Sequence, residues 1–151
     1  MVDQQPQIVQ LDPENEAKFQ AFAQKAYDHW KTVSQEDQEK DKALMNSFKS
    51  NPASAMERFN ECLVDFDAAD ADGDGNLNLA EYTEFIAKQQ RTCDERGEIR
   101  IRHPGYVEES YALFNSVDPS KEGFDKDQWT QYLRKMKTME YVLMQADGHY
   151  E

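Results

Sequence analysis

Residues 70–81 read DADGDGNLNLAE, and no other stretch of the chain restricts its local backbone so tightly. Asp70, Asp72 and Asp74 alternate, Gly75 follows, and Glu81 closes the run. A tight turn can aim alternating carboxylates at one centre. Gly75 permits the sharp bend because it has no Cβ to clash at positive φ. The donors are all oxygens, which suits a hard cation needing six to eight of them. In this spacing Asn76 offers its backbone carbonyl, Asn78 acts through a water, and Glu81 supplies both carboxylate oxygens. A bidentate carboxylate favours calcium over the strictly six-coordinate magnesium. The expected metal ligands are therefore Asp70, Asp72, Asp74, Asn76, Asn78 and Glu81, holding one calcium ion. As a plain solvated turn, four carboxylates this close would repel one another with no cation to offset them. Leu77 should point into the core, and Asn78 with Glu81 forms an N-x-x-E helix start.

The flanking sequence is helical. Ser54 with Glu57 reads as a capping box opening a helix with Met56, Phe59, Leu63 and Phe66 on one face. A helix over about 79–90 turns Tyr82, Phe85 and Ile86 inward. Further along, Val107, Tyr111, Phe114 and Val117 mark a helix over 106–117, and Trp129, Tyr132, Leu133, Met136 and Met139 mark one over about 126–145. The methionines suit either an adaptable groove or ordinary core.

With these residues in view, 54–92 resembles an EF-hand of the calmodulin superfamily. Hands of that family pair, and a second is visible. Phe66 and Asp70 align with Phe114 and Asp118, while EYTEFI at 81–86 aligns with QWTQYL at 128–133. The offsets are 48 residues at the entrance and 47 at the exit, so the second loop, 118–128, is one residue short. Phe124 takes the place of Leu77, and the pair Asp125 and Gln128 takes that of Asn78 and Glu81. Pro119 stiffens this loop, Lys121 and Lys126 oppose a cation, and Gln128 replaces the bidentate carboxylate. The resemblance implies that 118–128 keeps the pairing role and binds calcium poorly or not at all.

The remaining segments divide the chain. Residues 1–11 read as a loose tail. An N-terminal helical extension spans 12–52: Asp12-Pro13-Glu14 starts a helix with the stripe Phe19, Phe22, Ala23, Ala26, Tyr27, Trp30 and Val33. Ser34 and Asp37 start a second, very polar helix to about Phe48, with Ala43, Leu44, Met45 and Phe48 as its sticky end, and Asn51-Pro52 breaks the chain. The stripe suits packing on the 53–151 lobe, a vestigial third hand, or a partner, with core packing the default. Held over the lobe's groove it would be self-inhibiting. Residues 91–105 read as a long surface connection whose Arg91, Arg96, Arg100 and Arg102 suit either a contact site or, preferably, a solvated loop. The fold class expected is all-α: an EF-hand pair with an N-terminal helical extension.

Composition limits the partners. The net charge is −13, with 6 basic and 9 acidic side chains in 1–52 and 11 and 21 in 53–151. Nucleic acid and anionic membranes are repelled by such a surface. No apolar run is long enough to span a bilayer, and MVDQQPQIVQ has no signal-peptide pattern. Cys62 and Cys93 read as reduced thiols of an intracellular protein, and neither they nor the scattered His29, His103 and His149 have zinc spacing. An apolar fraction of 38%, with eight Phe, seven Tyr and two Trp, supports a modest core. No nucleophile or phosphate-loop motif supports an enzyme. The resemblance implies a calcium-responsive sensor or adaptor with protein targets, in the cytoplasm. Its alternative is a constitutive structural subunit of a cytoskeletal or axonemal assembly, to which the N-terminal arm, altered second loop and Arg-bearing connection lend weight. High Gln content and this architecture are also similar to small calcium-binding proteins of ciliates. The oligomeric state is left open.

Overall fold

The computed structural model describes residues 9–149. Six helices follow in order: α1 Pro13–Trp30, α2 Gln35–Ser50, α3 Pro52–Ala69, α4 Leu79–Glu95, α5 Tyr106–Val117 and α6 Lys126–Ala146. The fold is all-α. Among the described residues the one extended pairing is an isolated antiparallel bridge between Leu77 and Phe124.

Local chemistry explains most boundaries. Asp12 caps α1 by accepting from the Asn15 N–H at 2.8 Å, and Pro13 fills a position whose N–H would have no helical partner. Ser34 caps α2 in the same way, through Asp37. The start of α3 differs from expectation. Asn51 is the cap, accepting from the Ser54 N–H at 3.2 Å, and Pro52 begins the helix. The expected box of Ser54 and Glu57 lies inside the first turn instead. Asn51-Pro52 thus ends one helix and starts the next, because proline is pre-organised for the first helical position.

The connection after α4 also differs. Helix continues to Glu95, with Arg96 as its C-terminal cap, so the irregular segment is shorter than 91–105. Thr92 and Cys93 turn toward the body of the protein and hold this extra turn, while Gln90 donates to Asp94 along its outer side. Three of the four arginines are engaged internally. Arg91 pairs with Glu84, Arg96 with Glu61, and Arg102 donates to the Gln89 and Gln90 side chains beneath the Tyr106 ring. Burial pulls the Arg102 pKa down to about 10, and Arg100 adds to that shift.

The core is aromatic. Phe66, Phe85, Tyr82, Phe114, Phe124, Trp129 and Tyr132 interlock from α3 to α6, with Leu77 fully buried at the bridge. α1 belongs to this core. Phe19 is 0% exposed, stacks on Phe114 at 5.9 Å and meets Tyr132 edge-on at 6.1 Å. α1 lies against α6 and α5. At its C-terminal end Tyr27 and Trp30 pack with Met144, and the Tyr27 hydroxyl donates to Asp147 at 2.5 Å. Met136, Met139 and Met144 are core residues. Of the segment read as a tail, residues 1–8 lie outside the described residues, whereas Val9 and Leu11 already pack against the core. α2 buries no residue fully; Phe48 is half-buried under the Arg58 guanidinium. No helix among the described residues is long and apolar enough to cross a membrane.

Candidate metal centre

α3 and α4 deliver the loop 70–81. Asp70 sits at the C-terminal cap of α3 with φ −76° and ψ 78°, where the chain leaves the helix. Gly73 (φ +70°) and Gly75 (φ +85°) then turn the backbone twice through the left-handed region. The need at Gly75 is legible from the motif. The need at Gly73 was missed, although a second Asp-Gly step is a turn signal.

Between these turns the acidic side chains fold inward on the backbone. The Gly75 N–H donates to Asp70 Oδ2 at 2.8 Å, the Asp74 N–H to Asp72 Oδ1 at 3.2 Å and the Asn76 N–H to Asp74 Oδ1 at 2.9 Å. Glu81 closes the loop from α4. Its Oε2 accepts from the Ala71 N–H at 2.8 Å, its Oε1 from the Asn78 N–H at 3.0 Å, and Asn78 Oδ1 accepts from the Glu81 N–H in return. This reciprocal capping box starts α4 and leaves the Glu81 side chain only 8% exposed.

Oxygens of Asp70, Asp72, Asp74 and Glu81 all lie within 4.8 Å of one another. No other such group of metal-binding side chains occurs among the described residues. Asp70 Oδ1 is buried with no hydrogen-bond partner. A buried unpaired carboxylate oxygen among three other carboxylates is costly unless a cation compensates it, so the donor set fits a hard divalent ion. Two of these carboxyls move apart in acidity. At Asp70, burial pushes upward, but the Gly75 N–H and the neighbouring Asp72 and Asp74 bring the net value below the usual range. At Asp72 the Asp74 N–H pulls down, yet burial, Asp70, Asp74 and Glu81 carry it above the usual range.

Of the six ligands expected from the sequence, four are brought together by their carboxylates. Asn78 is held as the helix cap. The Asn76 side-chain oxygen accepts from Lys121 Nζ at 2.7 Å, which leaves its backbone carbonyl as the group to offer an ion.

The loop 118–128 is built differently. The Ser120 N–H donates to Asp118 Oδ1 at 3.3 Å, and the Gly123 N–H donates to Asn115 Oδ1 at 2.6 Å. Asp125 and Gln128 form a reciprocal capping box for α6. Lys121 places its ammonium 3.6 Å from Asp125 and on Asn76 of the first loop, while Lys126 pairs with Asp67 at 3.0 Å. The polar groups of this loop bond among themselves and to Asn115, Asn76 and Asp67 beside it. Asn115 and the crosslinking role of Lys121 were missed from sequence, because both bonds join residues whose proximity only the folded chain defines.

The two loops meet back to back. The Leu77 N–H donates to the Phe124 carbonyl at 3.1 Å, as the alignment of Leu77 with Phe124 leads one to expect. Between the middle of α3, the C-terminal half of α4 and α6 opens a cavity of about 460 Å³, lined by Phe59, Cys62, Val64, Cys93 and Trp129 and flanked by Phe48 of α2. Compared with known proteins, the chain matches no family model, no curated protein and no solved structure.

Proposed function

We propose that this chain is a calcium-binding EF-hand protein, one intact and one degenerate hand, that acts as a calcium-responsive sensor or adaptor through a single site. The observation that carries the reading is the convergence of Asp70, Asp72, Asp74 and Glu81 around a buried, unpartnered Asp70 Oδ1. Calcium supplies the positive charge this cluster lacks. The chain's own part is to hold the oxygens and couple them to helices. Glu81 stands at the first turn of α4, one residue before the fully buried Tyr82, and the Leu77–Phe124 bridge joins its loop to the second unit. A shift of Glu81 toward the ion moves α4 relative to α3, and the cavity between them widens to accept the apolar face of a target helix.

A second reading is a constitutive subunit of a larger assembly, in which calcium only stabilises the fold. The complete burial of Phe19 favours it, since α1 already covers the α5–α6 side of the lobe. Calorimetric titration with calcium decides the metal claim. One ion should bind per chain, Glu81→Gln should weaken binding at least tenfold, and Asp118→Ala should change it little. Equal losses from both variants overturn the one-site reading. A hydrophobic dye separates the two functions: a calcium-dependent rise in binding supports the sensor, and no rise at full calcium occupancy supports the subunit.

A further inference from the structure

α3 and α4 run antiparallel, and three ion pairs set their register. Asp65 meets Lys88 at 3.7 Å, Glu61 takes Arg96 through both carboxylate oxygens at 3.0 and 2.9 Å, and Glu98 just beyond α4 takes Arg58. Nearer the metal loop, Phe66 and Phe85 meet edge-on at 5.5 Å. Cys62 lies between Glu61 and Asp65 on α3, and Cys93 lies between Lys88 and Arg96 on α4. The ladder of ion pairs therefore brackets the two cysteines from both sides. Both are free thiols, both are half-buried, and both line the same cavity. A disulfide needs Cα atoms within about 7 Å; the ion pairs on either side and the electrostatic interaction between Cys62 and Cys93 set the two thiols facing each other across one gap.

We infer that Cys62 and Cys93 form an oxidation site at which a hydroperoxide converts the dithiol into an intramolecular disulfide tying α3 to α4. Burial pushes the Cys62 thiol up, only partly opposed by Arg100 and Arg58, and a charged Cys93 raises it further. The attack can begin at either sulfur, here Cys93. Its thiolate takes the terminal peroxide oxygen, the O–O bond breaks, and an alcohol (or water) departs with the thiol's proton. The Cys62 sulfur then attacks the sulfenic sulfur and displaces hydroxide, which leaves as water with the Cys62 proton. Two thiols and one hydroperoxide thus become one disulfide, one alcohol and one water. The tie joins the middle of α3 to the last turn of α4, where separating the helices would open the cavity. The oxidation itself is independent of the calcium reading; only its consequence, a lobe that cannot open, rests on it.

The purified full chain is treated with hydrogen peroxide in chelator-containing buffer, with intact mass, peptide mapping and a non-reducing gel as readouts. The expected product is a monomer lighter by about 2 Da, with the Cys62 and Cys93 peptides joined and both thiols recovered by a reducing agent. Cys62→Ser and Cys93→Ser, each checked for helical content, should each abolish that product. Disulfide-linked dimers, sulfinic or sulfonic acid at one cysteine, or two thiols still open to alkylation would overturn the assignment. Should the disulfide form while the calcium-dependent dye response persists, the oxidation site stands and the locked-lobe consequence falls.

Discussion

Gly123→Ala tests whether the contact between the two loops holds the molecule together. Gly123 has φ +84°, and a Cβ built there would stand 2.0 Å from the Leu77 carbonyl oxygen and 2.7 Å from its carbon. Those atoms are backbone and cannot swing aside as a long side chain can. Two costs add. Placing an L-residue in the left-handed region costs about 1–2 kcal/mol. Pushing the Leu77 peptide away breaks its bond to Phe124 in a fully buried setting, for about 1–3 kcal/mol more. Gly97 is the control: it has φ +69° with nothing within 4 Å of the built Cβ, so Gly97→Ala should carry only the first cost. With a urea slope of about 2 kcal/mol per molar, the midpoint should fall by about 1–2.5 M for Gly123→Ala and by about 0.5–1 M for Gly97→Ala. Tryptophan fluorescence reads the transition, since Trp30 and Trp129 are buried on different parts of the core. Equal shifts in the two variants would refute the claim that the loops are locked by backbone contact.

Phe19→Ala should destabilise the whole chain by about 3–5 kcal/mol, because Phe19 is fully buried between Phe114 and Tyr132; a single urea transition lowered by well under 0.5 M would show that α1 is a detachable arm. At alkaline pH, burial and the bond to Asp147 push Tyr27 up to about 12 from 10.0. The unfolded chain then loses that proton first, so the stability Tyr27 contributes is present below pH 10 and lost as pH rises toward 12. Burial also pushes Tyr82, Tyr111 and Tyr132 up, so absorbance titration should show several tyrosines ionising late, and Tyr27→Phe should lower that late amplitude by one tyrosine; an unchanged late amplitude in the variant would assign the step elsewhere.

The parts of the molecule that were legible in sequence are those written in adjacent residues. The 70–81 spacing pointed to the converging carboxylates, and Asp12-Pro13 and Ser34 marked their helix starts because a cap and the donor it satisfies lie within one turn. Asn51-Pro52 was read only as a break because proline both ends a helix and begins one; the Asn51 side chain accepting from the Ser54 N–H makes it the cap of α3 as well. The extra turn of α4 was hidden because RTCDE shows no apolar period, and its inward residues are a threonine and a cysteine. An amphipathic stripe says that a face will be covered but not by what. The destination of α1 therefore had to come from the aromatic contacts of Phe19 and Phe22. The cysteines were read as two separate reduced thiols for the same reason: residues 31 apart come to line one cavity only when α3 and α4 fold back on each other.

The two loops differ most in who supplies the positive charge. In 118–128 the chain brings its own: Lys121 lies beside Asp125, helps hold Asp118 below the usual carboxyl range after the hydrogen bonds from Ser120, and reaches across to Asn76. The Gly123 N–H donates to Asn115 Oδ1, a further bond that needs no ligand. In 70–81 no basic side chain pairs with any of the four clustered carboxylates among the described residues, and one oxygen stays buried and unpaired. Under the proposed function, the first loop is the one whose energy would change steeply with a cation, while the second would change little and serve as a fixed abutment. Because Leu77 and Phe124 join the two at the backbone, a movement of the first loop would meet a unit braced by α1 on α5 and α6. The asymmetry directs any displacement into α4 and the cavity beyond it, which is where the thiol pair and the proposed target surface coincide.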